Sequence, residues 1–402
     1  MAICDLWFDG LAAPVRTVNC APLVEGLRGY IPRWPFRSQC VTPQDYGPEE
    51  PCAVIANNGS AWLIQSPFTD APRVHQTEVN VVCDLISILA SALIAARPDR
   101  LCFHAAAVVQ SGGLVLFPAL RRAGKSTLSS VLAARGAQLF TDDYLPVDCA
   151  GHGPLTGLAT GIAARLRLPL PEGYPPDARA YVTSHAGPRN RQYRYVGGPQ
   201  IAEHGTAAPI VATVLLDRQD DAKAQLLPVS EGEALAKLAK QNFSRDVPAG
   251  EALQAMVRLV QTAPTLRLSY SDIDEAATLI ENGLPEARST VSKVPDFPAP
   301  GPMPDAAPFD PHQIYVASRF AMLDAAGEHF VGASHDGKRI LQFDQTAKAV
   351  LDLLGDGASP HQVAELVRQN VQGDAPAALR DKTYDILRKF LKAGYIQRRD
   401  AR

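Results

Sequence analysis

The spacing of apolar residues changes period several times along the chain, and each change predicts a different element. Ala53-Val54-Ile55-Ala56 and Ala61-Trp62-Leu63-Ile64 flank Asn57-Asn58-Gly59, which predicts two strands around a hairpin turn. From about Val79 to Ala96 the pattern is helical, and the apolar run Leu85 to Ala96, between Asp84 and Arg97-Pro98, predicts a buried helix. Strands and helices then alternate. Ala105–Val109 and Leu114–Phe117 read as strands joined at Ser111-Gly112-Gly113, Ser126–Arg135 as a helix stopped by Gly136, and Gln138–Phe140 as another strand. Pro209–Leu216 is a buried-strand candidate. Ser230 and Glu233 form a capping box for a helix running through Phe243. Thr265–Tyr270 predicts a strand and Ile273–Glu281 a helix. Strand, glycine-containing loop, helix and strand in succession predict an α/β unit.

Prolines recur from Pro285 to His312, which predicts a linker. Beyond it, Tyr315 to Phe343 reads as short strands with turns at Ala326-Gly327 and Asp336-Gly337. Three helices follow. Asp344 caps the first, with Ala347, Val350, Leu351 and Leu354 on one face; Ser359-Pro360 opens the second; Gly394 stops the third, and Tyr395-Ile396 returns as a strand. The predicted division is a β-rich region with a helix at 1–98, a nucleotide-binding domain at 99–284, a linker at 285–312 and a small winged-helix-like α+β domain at 313–402.

Composition narrows the function classes. With 402 residues, 46% hydrophobic, the chain is long enough for two or three cores. A net charge of −3 argues against bulk attraction to nucleic acid or membrane. The longest apolar run falls short of the roughly 18–20 residues that span a bilayer, and no basic segment precedes an apolar one at the N-terminus, so no membrane or secretory role is expected. Seven cysteines, all at or before Cys149 and without a C-x-x-C, argue against a disulfide framework or zinc site and for a reducing, cytoplasmic setting.

The chemistry-bearing stretch is Phe117-Pro-Ala-Leu-Arg-Arg-Ala-Gly124-Lys125-Ser126-Thr127, between a predicted strand and a predicted helix. That context suits a phosphate-binding loop: backbone N–H groups cradle phosphates, a lysine reaches the β and γ oxygens, and a hydroxyl holds magnesium. Lys125 and Ser126 fill those roles. Ala119 stands where such loops usually begin with glycine, and Arg122 occupies a mid-loop position where it either crowds the loop or adds a cation. Asp142-Asp143 ends the next strand, where an aspartate holds magnesium or accepts a proton from an attacking hydroxyl. Adjacent strand residues face opposite ways, so the two split those roles in an order the sequence leaves open.

His104-Ala-Ala-Ala-Val, the Gly-Lys-Ser-Thr loop and Thr-Asp142-Asp143 resemble the catalytic domain of HPr kinase/phosphorylase, and more closely the HPr-kinase-related proteins of bacterial biosynthetic clusters. The resemblance runs over roughly residues 100–284, through Arg165-Leu-Arg167 and Tyr193-Arg194-Tyr195. It implies an α/β P-loop kinase core, related to phosphoenolpyruvate carboxykinase, that uses ATP and Mg2+. It further implies that Gly124, Lys125, Ser126 and Thr127 bind phosphate and metal and that Asp142 and Asp143 supply the metal contact and the base. His104 then lies beside that pair, and Arg165 and Arg167 are phosphate contacts. The family's glycine-rich signature after the acidic pair is missing, which counts against phosphorylase activity and against HPr as substrate.

Residues 313–402 resemble PqqD-type domains, which bind leader peptides of ribosomally made peptide natural products. The resembling residues are Asp336-Gly-Lys-Arg-Ile340-Leu341-Gln-Phe343-Asp344 and Leu387-x-x-Phe390-Leu391-x-x-Gly394-Tyr395-Ile396. The resemblance implies that a peptide adds a strand beside the hairpin, with Ile340, Leu341, Phe343, Leu387 and Phe390 at its site. Together the two resemblances imply a kinase that phosphorylates a Ser or Thr of a recruited precursor peptide, with other enzymes of the same pathway and a second copy of the chain as further potential partners. The rivals are a non-catalytic nucleotide-binding adaptor and an ATP-responsive DNA-binding regulator using Arg380, Lys382, Arg388, Lys389, Arg398 and Arg399.

Overall fold

The computed structural model describes residues 2–42, 50–119, 123–151, 153–244, 247–287, 297, 300–301, 308–318, 322–325, 329–370 and 376–399. Most of the expected 285–312 linker and the Ala326-Gly327 turn lie outside them. The chain forms two compact units. Their boundaries cut across the expected division. Residues 1–228 share the first unit with 241–245 and 262–289, while 229–240 and 246–261 belong with the C-terminal residues.

The first unit holds two main sheets. The N-terminal sheet has six strands in the order Phe36–Cys40, Ile3–Phe8, Val15–Val18, Ala53–Asn57, Trp62–Gln65 and Arg73–His75. The expected hairpin is present, with Ile55 opposite Ile64. The helix Glu78–Ala96 is capped by the Thr77 side chain, which accepts from Asn80 N. It is long and apolar enough to cross a membrane by composition. Here its apolar residues, among them Leu85 and Leu89, pack into a core with Trp34, Ile55 and Tyr195.

The second sheet is mixed, so this unit has an α/β core. Gly113–Pro118, Ala207–Arg218 and Thr265–Tyr270 run parallel, and their C-terminal ends open on one side. Every residue of Gly113–Pro118 is buried, as a strand covered on both faces requires. The helix Lys125–Ala134 follows that strand, but the next strand, Leu139–Thr141, pairs antiparallel with Ala105–Gln110. This places the end of Leu139–Thr141 beside the start of Ala105–Gln110. A three-stranded sheet of Ala164–Arg167, Tyr193–Val196 and Ala186–Arg189 completes the surroundings.

In the second unit, Met322–Ala325, His329–Ala333 and Ile340–Asp344 form an antiparallel sheet with Ile340–Asp344 at an edge. The helices Gln345–Leu354, Pro360–Asn370 and Pro376–Lys392 follow. Asp344 caps the first, accepting from Ala347 N at 2.7 Å, and Ser359 with Gln362 forms a reciprocal cap on the second. Val350, Leu354, Val363, Leu387, Phe390 and Tyr395 make the core. The helices Glu231–Gln241 and Ala249–Thr262, save for their last residues, join this unit: Gln342 Nε2 donates to Ala236 O of the first at 2.6 Å, and Ala249 N of the second donates to Gly337 O at 2.7 Å.

Candidate active site

The site is built where the buried strand Gly113–Pro118 hands over to the helix Lys125–Ala134. Gly124 is the residue before the helix, at φ +94, and no side chain caps it. A Cβ there would meet Tyr270 Oη at 2.7 Å, so this turn requires glycine on both conformational and steric grounds. An uncapped helix N-terminus offers backbone N–H donors and partial positive charge. Leu120, Arg121 and Arg122 lie outside the described residues, and with them the expected role of Arg122.

Lys125 opens the helix and is only 7% exposed. Its Nζ donates to Ala119 O at 2.6 Å and lies 3.1 Å from His104 Nε2. Lysine is a donor only, so His104 Nε2 accepts, and its ring proton is assigned to Nδ1. That nitrogen lies 3.2 Å from Asp143 Oδ1. The other Asp143 oxygen, Oδ2, accepts from Arg165 Nη2 at 3.3 Å. Lys125, His104, Asp143 and Arg165 thus form one continuous chain of contacts.

The strand ends at Thr141, so the acidic pair lies in the bend that follows it and not on the extended strand the sequence suggests. Thr141 Oγ1 accepts from the N–H groups of Asp143 and Tyr144, which fixes the turn after the strand. Asp142 is 7% exposed, and its Oδ2 accepts from Arg165 N at 2.8 Å. Burial, reinforced by the neighbouring Asp143 charge, raises its pKa above the ordinary carboxylate value, against the pull of hydrogen bonds from Arg165 N and the Ser126 hydroxyl. Asp143 is 34% exposed at its side chain. Burial works against its charge too, but the His104 hydrogen bond and the Arg165 and Lys125 charges outweigh it and hold its pKa below the ordinary value. Burial disfavours the charged form of Arg165, but the Asp143 charge overrides this and raises its pKa.

Ser126 and Thr127 sit half-buried in the first turn. Ser126 joins Asp142 through its hydroxyl, whereas Thr127 O accepts from Ser130 Oγ. Arg167 lies apart from the carboxylates, its guanidinium 5.5 Å from the centre of the Tyr193 ring, with Arg165 5.2 Å from the same ring. Tyr193 and Tyr270 escaped the sequence reading as site residues. Tyr270 ends one of the three parallel strands, and that position was the available signal.

Among the described residues no three His, Cys, Asp or Glu gather as a metal cage. Buried Asp142 with Ser126 is the sparse kind of donor set that Mg2+ uses when phosphate oxygens complete its shell. The uncapped helix, the glycine turn and Lys125 fit a polyphosphate beside it.

In the second unit, Ile340, Leu341 and Phe343 lie part-exposed on the edge strand. Leu387 and Phe390, expected at the peptide site, are 0% and 2% exposed and belong to the core. They reach the edge strand only from beneath, the Phe390 ring lying 5.1 Å from that of Phe343. Of the basic residues behind the DNA reading, Arg380 pairs with Asp381 and Arg388 with Asp385.

No protein-family model matches the chain, and no curated protein does. Among solved structures it is similar to the Hpr(Ser) kinase/phosphatase from Coxiella burnetii, at 13% identity over 45% of this chain and 94% of that one, with a TM-score of 0.24. A likeness at that score carries no functional argument, and the chemistry of the cluster has to come from its own geometry.

Proposed function

We propose that the chain is an ATP- and Mg2+-dependent kinase that phosphorylates a serine or threonine of a ribosomally made precursor peptide held by its C-terminal residues. The observation that supports it is the convergence of Lys125, His104, Asp142, Asp143 and Arg165 at one uncapped helix N-terminus. When bound, the nucleotide supplies the phosphoryl group and Mg2+ offsets its charge. Lys125 would meet the β and γ oxygens, and Ser126 with Asp142 would hold the metal. Asp143, more exposed than Asp142, takes the proton of the acceptor hydroxyl. Held ionised by His104 and Arg165, it is a weak base, which suits a loose transition state in which the hydroxyl surrenders its proton late. His104 orients the carboxylate through Nδ1–H and couples it to Lys125.

The edge strand supports the peptide half of the reading. Ser334 N donates to Arg339 O, so Ser334 and Arg339 form a hydrogen-bonded pair. The next pair, Ala333 and Ile340, is then non-hydrogen-bonded, as is Val331 with Gln342. Ile340 and Gln342 therefore turn their N–H and C=O groups away from the neighbouring strand, as strand addition by a peptide requires.

The test is titration of the full chain with MgATP, followed by transfer of labelled γ-phosphate to a precursor peptide, in wild type and Lys125→Ala. The expected result is binding and transfer by wild type, with transfer lowered by about 10²-fold or more in the variant, the scale for losing one preorganised charge contact. Equal transfer by both removes the kinase assignment. Binding without transfer by wild type supports the adaptor instead.

A further inference from the structure

In the N-terminal sheet, Ile3–Phe8 runs antiparallel to the edge strand Phe36–Cys40, with Cys4 directly opposite Cys40. Val41 N donates to Ile3 O at 3.0 Å, so Ile3 and Val41 are a hydrogen-bonded pair. One step along, Cys4 and Cys40 are then a non-hydrogen-bonded pair. Such pairs bring Cα atoms to about 4.5 Å and their side chains closest together, within the span a disulfide bridges. The two sulfurs lie 3.3 Å apart, and both cysteines are free thiols. Cys40 is exposed and Cys4, beside it on the neighbouring strand, is half-buried. The ring that a bond would close contains Tyr30 and Arg33. Tyr30 O accepts from Ala163 N, and Arg33 N donates to Gly161 O, both at 2.9 Å.

We propose that Cys4 and Cys40 are an oxidisable dithiol that a small-molecule disulfide of the glutathione class converts to an intramolecular cystine. The exposed Cys40 thiolate attacks one sulfur of the small disulfide and expels one thiolate. The Cys4 thiolate then attacks Cys40 Sγ of the mixed disulfide and expels the second. The two protein thiol protons end on the two released small thiols, and the two-electron oxidation of the protein matches the reduction of one small disulfide. Burial, with the Cys40 contact adding to it, raises the Cys4 pKa above the ordinary thiol value, consistent with Cys40 reacting first. The bond ties the edge strand of the sheet to its neighbour and so constrains the segment that carries Tyr30 and Arg33.

The test equilibrates the full chain with graded ratios of reduced and oxidised glutathione, quenches with acid, alkylates under denaturing conditions and maps the peptides. The expected result is a loss of two alkylatable thiols from the seven present, a Cys4–Cys40 linked peptide, and full reversal by dithiothreitol. Cys4→Ser is expected to leave Cys40 as a lasting glutathione adduct. Retention of all seven thiols, a lasting adduct on Cys40 in wild type, or linkage of either cysteine to a different partner overturns the proposal. The wild-type map decides it even if the variant does not fold.

Discussion

In the first unit, Lys125 reaches His104 across 21 residues of chain and Arg165 reaches Asp143 across 22. In the second unit, Lys348 pairs with Asp352, Arg368 with Glu365 and Arg388 with Asp385, each within one turn of a helix. Pairs of the second kind form as soon as the helix does and remain in water, where each contributes little. Pairs of the first kind bring charge into a part-buried place and bear a desolvation penalty that mutual attraction only partly offsets. Charges gathered from distant segments at a helix N-terminus therefore point to chemistry, while charges matched along a helix point to solubility. By this measure the reacting groups of the proposed kinase belong to the first unit, and the second offers a strand edge and a solvated surface.

The largest test of that contrast lies inside the acidic pair. Asp143→Asn is expected to lower the rate of transfer by about 10²–10⁴-fold, the usual scale for a general base, with little change in nucleotide affinity. Asp142→Asn is expected to weaken Mg2+-dependent nucleotide binding instead. The pH dependence separates them further. Because the Asp142 pKa is raised, metal-dependent binding is full above that pKa and falls as pH drops through it, starting above the ordinary value of 3.8. In stability the two residues act with opposite signs. The Asp142 shift makes stability fall as pH rises from the ordinary carboxylate pKa through the raised one. Asp143, with a depressed pKa, contributes stability that is present above the ordinary value and lost as pH falls through the depressed one. Identical kinetic profiles for the two variants would break the division of roles.

What the sequence made legible was local. The Asn57-Asn58-Gly59 hairpin, the strand Thr265–Tyr270 and the caps at Asp344 and Ser359 all follow from neighbours within a few residues. The helix Ala249–Thr262 was readable and missed: Leu253, Met256, Val257 and Val260 stand at i, i+3, i+4 and i+7. Its place with the C-terminal unit was not readable, since it depends on a bond from Ala249 to Gly337. In the site, Gly124, Lys125 and the acidic pair announce themselves by motif. The grip of Arg165 on Asp143 depends on how two sheets lie together, and the seat of Arg167 over Tyr193 on strand register within one sheet, where the two residues are cross-strand partners. The same limit hid the cysteine pair, because strand register sets Cys4 against Cys40 and spacing does not reveal register.

A smaller effect sharpens the assignment of the second unit to recognition. Ile340→Pro removes an N–H that points away from the neighbouring strand, so it is expected to spare the sheet while blocking strand addition. Transfer to a precursor peptide bearing its leader should fall by about 10²-fold, to the level seen with leaderless peptide, as tethered capture is lost. MgATP affinity should not change. Cutting the chain near residue 285 is the poorer experiment, because it strips residues 229–240 and 246–261 from the unit they pack with. Equal transfer to peptide with and without its leader by the intact protein would remove the recognition role.

The smallest effect tests the other side of the contrast, that matched helical charges in the second unit contribute little. Lys348 precedes Asp352 by four residues, which is the less favourable order for a pair of this spacing. The lysine also sits in the first half of the helix Gln345–Leu354 and the aspartate in the second, each opposed by the helix dipole. Lys348 has a second contact, its Nζ lying 5.8 Å from the centre of the Phe330 ring, so Lys348→Ala alone mixes two losses. A double-mutant cycle of Lys348→Ala and Asp352→Ala in denaturant unfolding isolates the pair. The expected coupling is about 0.2–0.5 kcal/mol at low salt. It should vanish near 1 M salt, where the screening length falls to about 3 Å. Neither change should alter phosphoryl transfer. A coupling above about 1 kcal/mol that survives high salt would mean that this helix holds a structured electrostatic site of its own, and the contrast between the two units would fail.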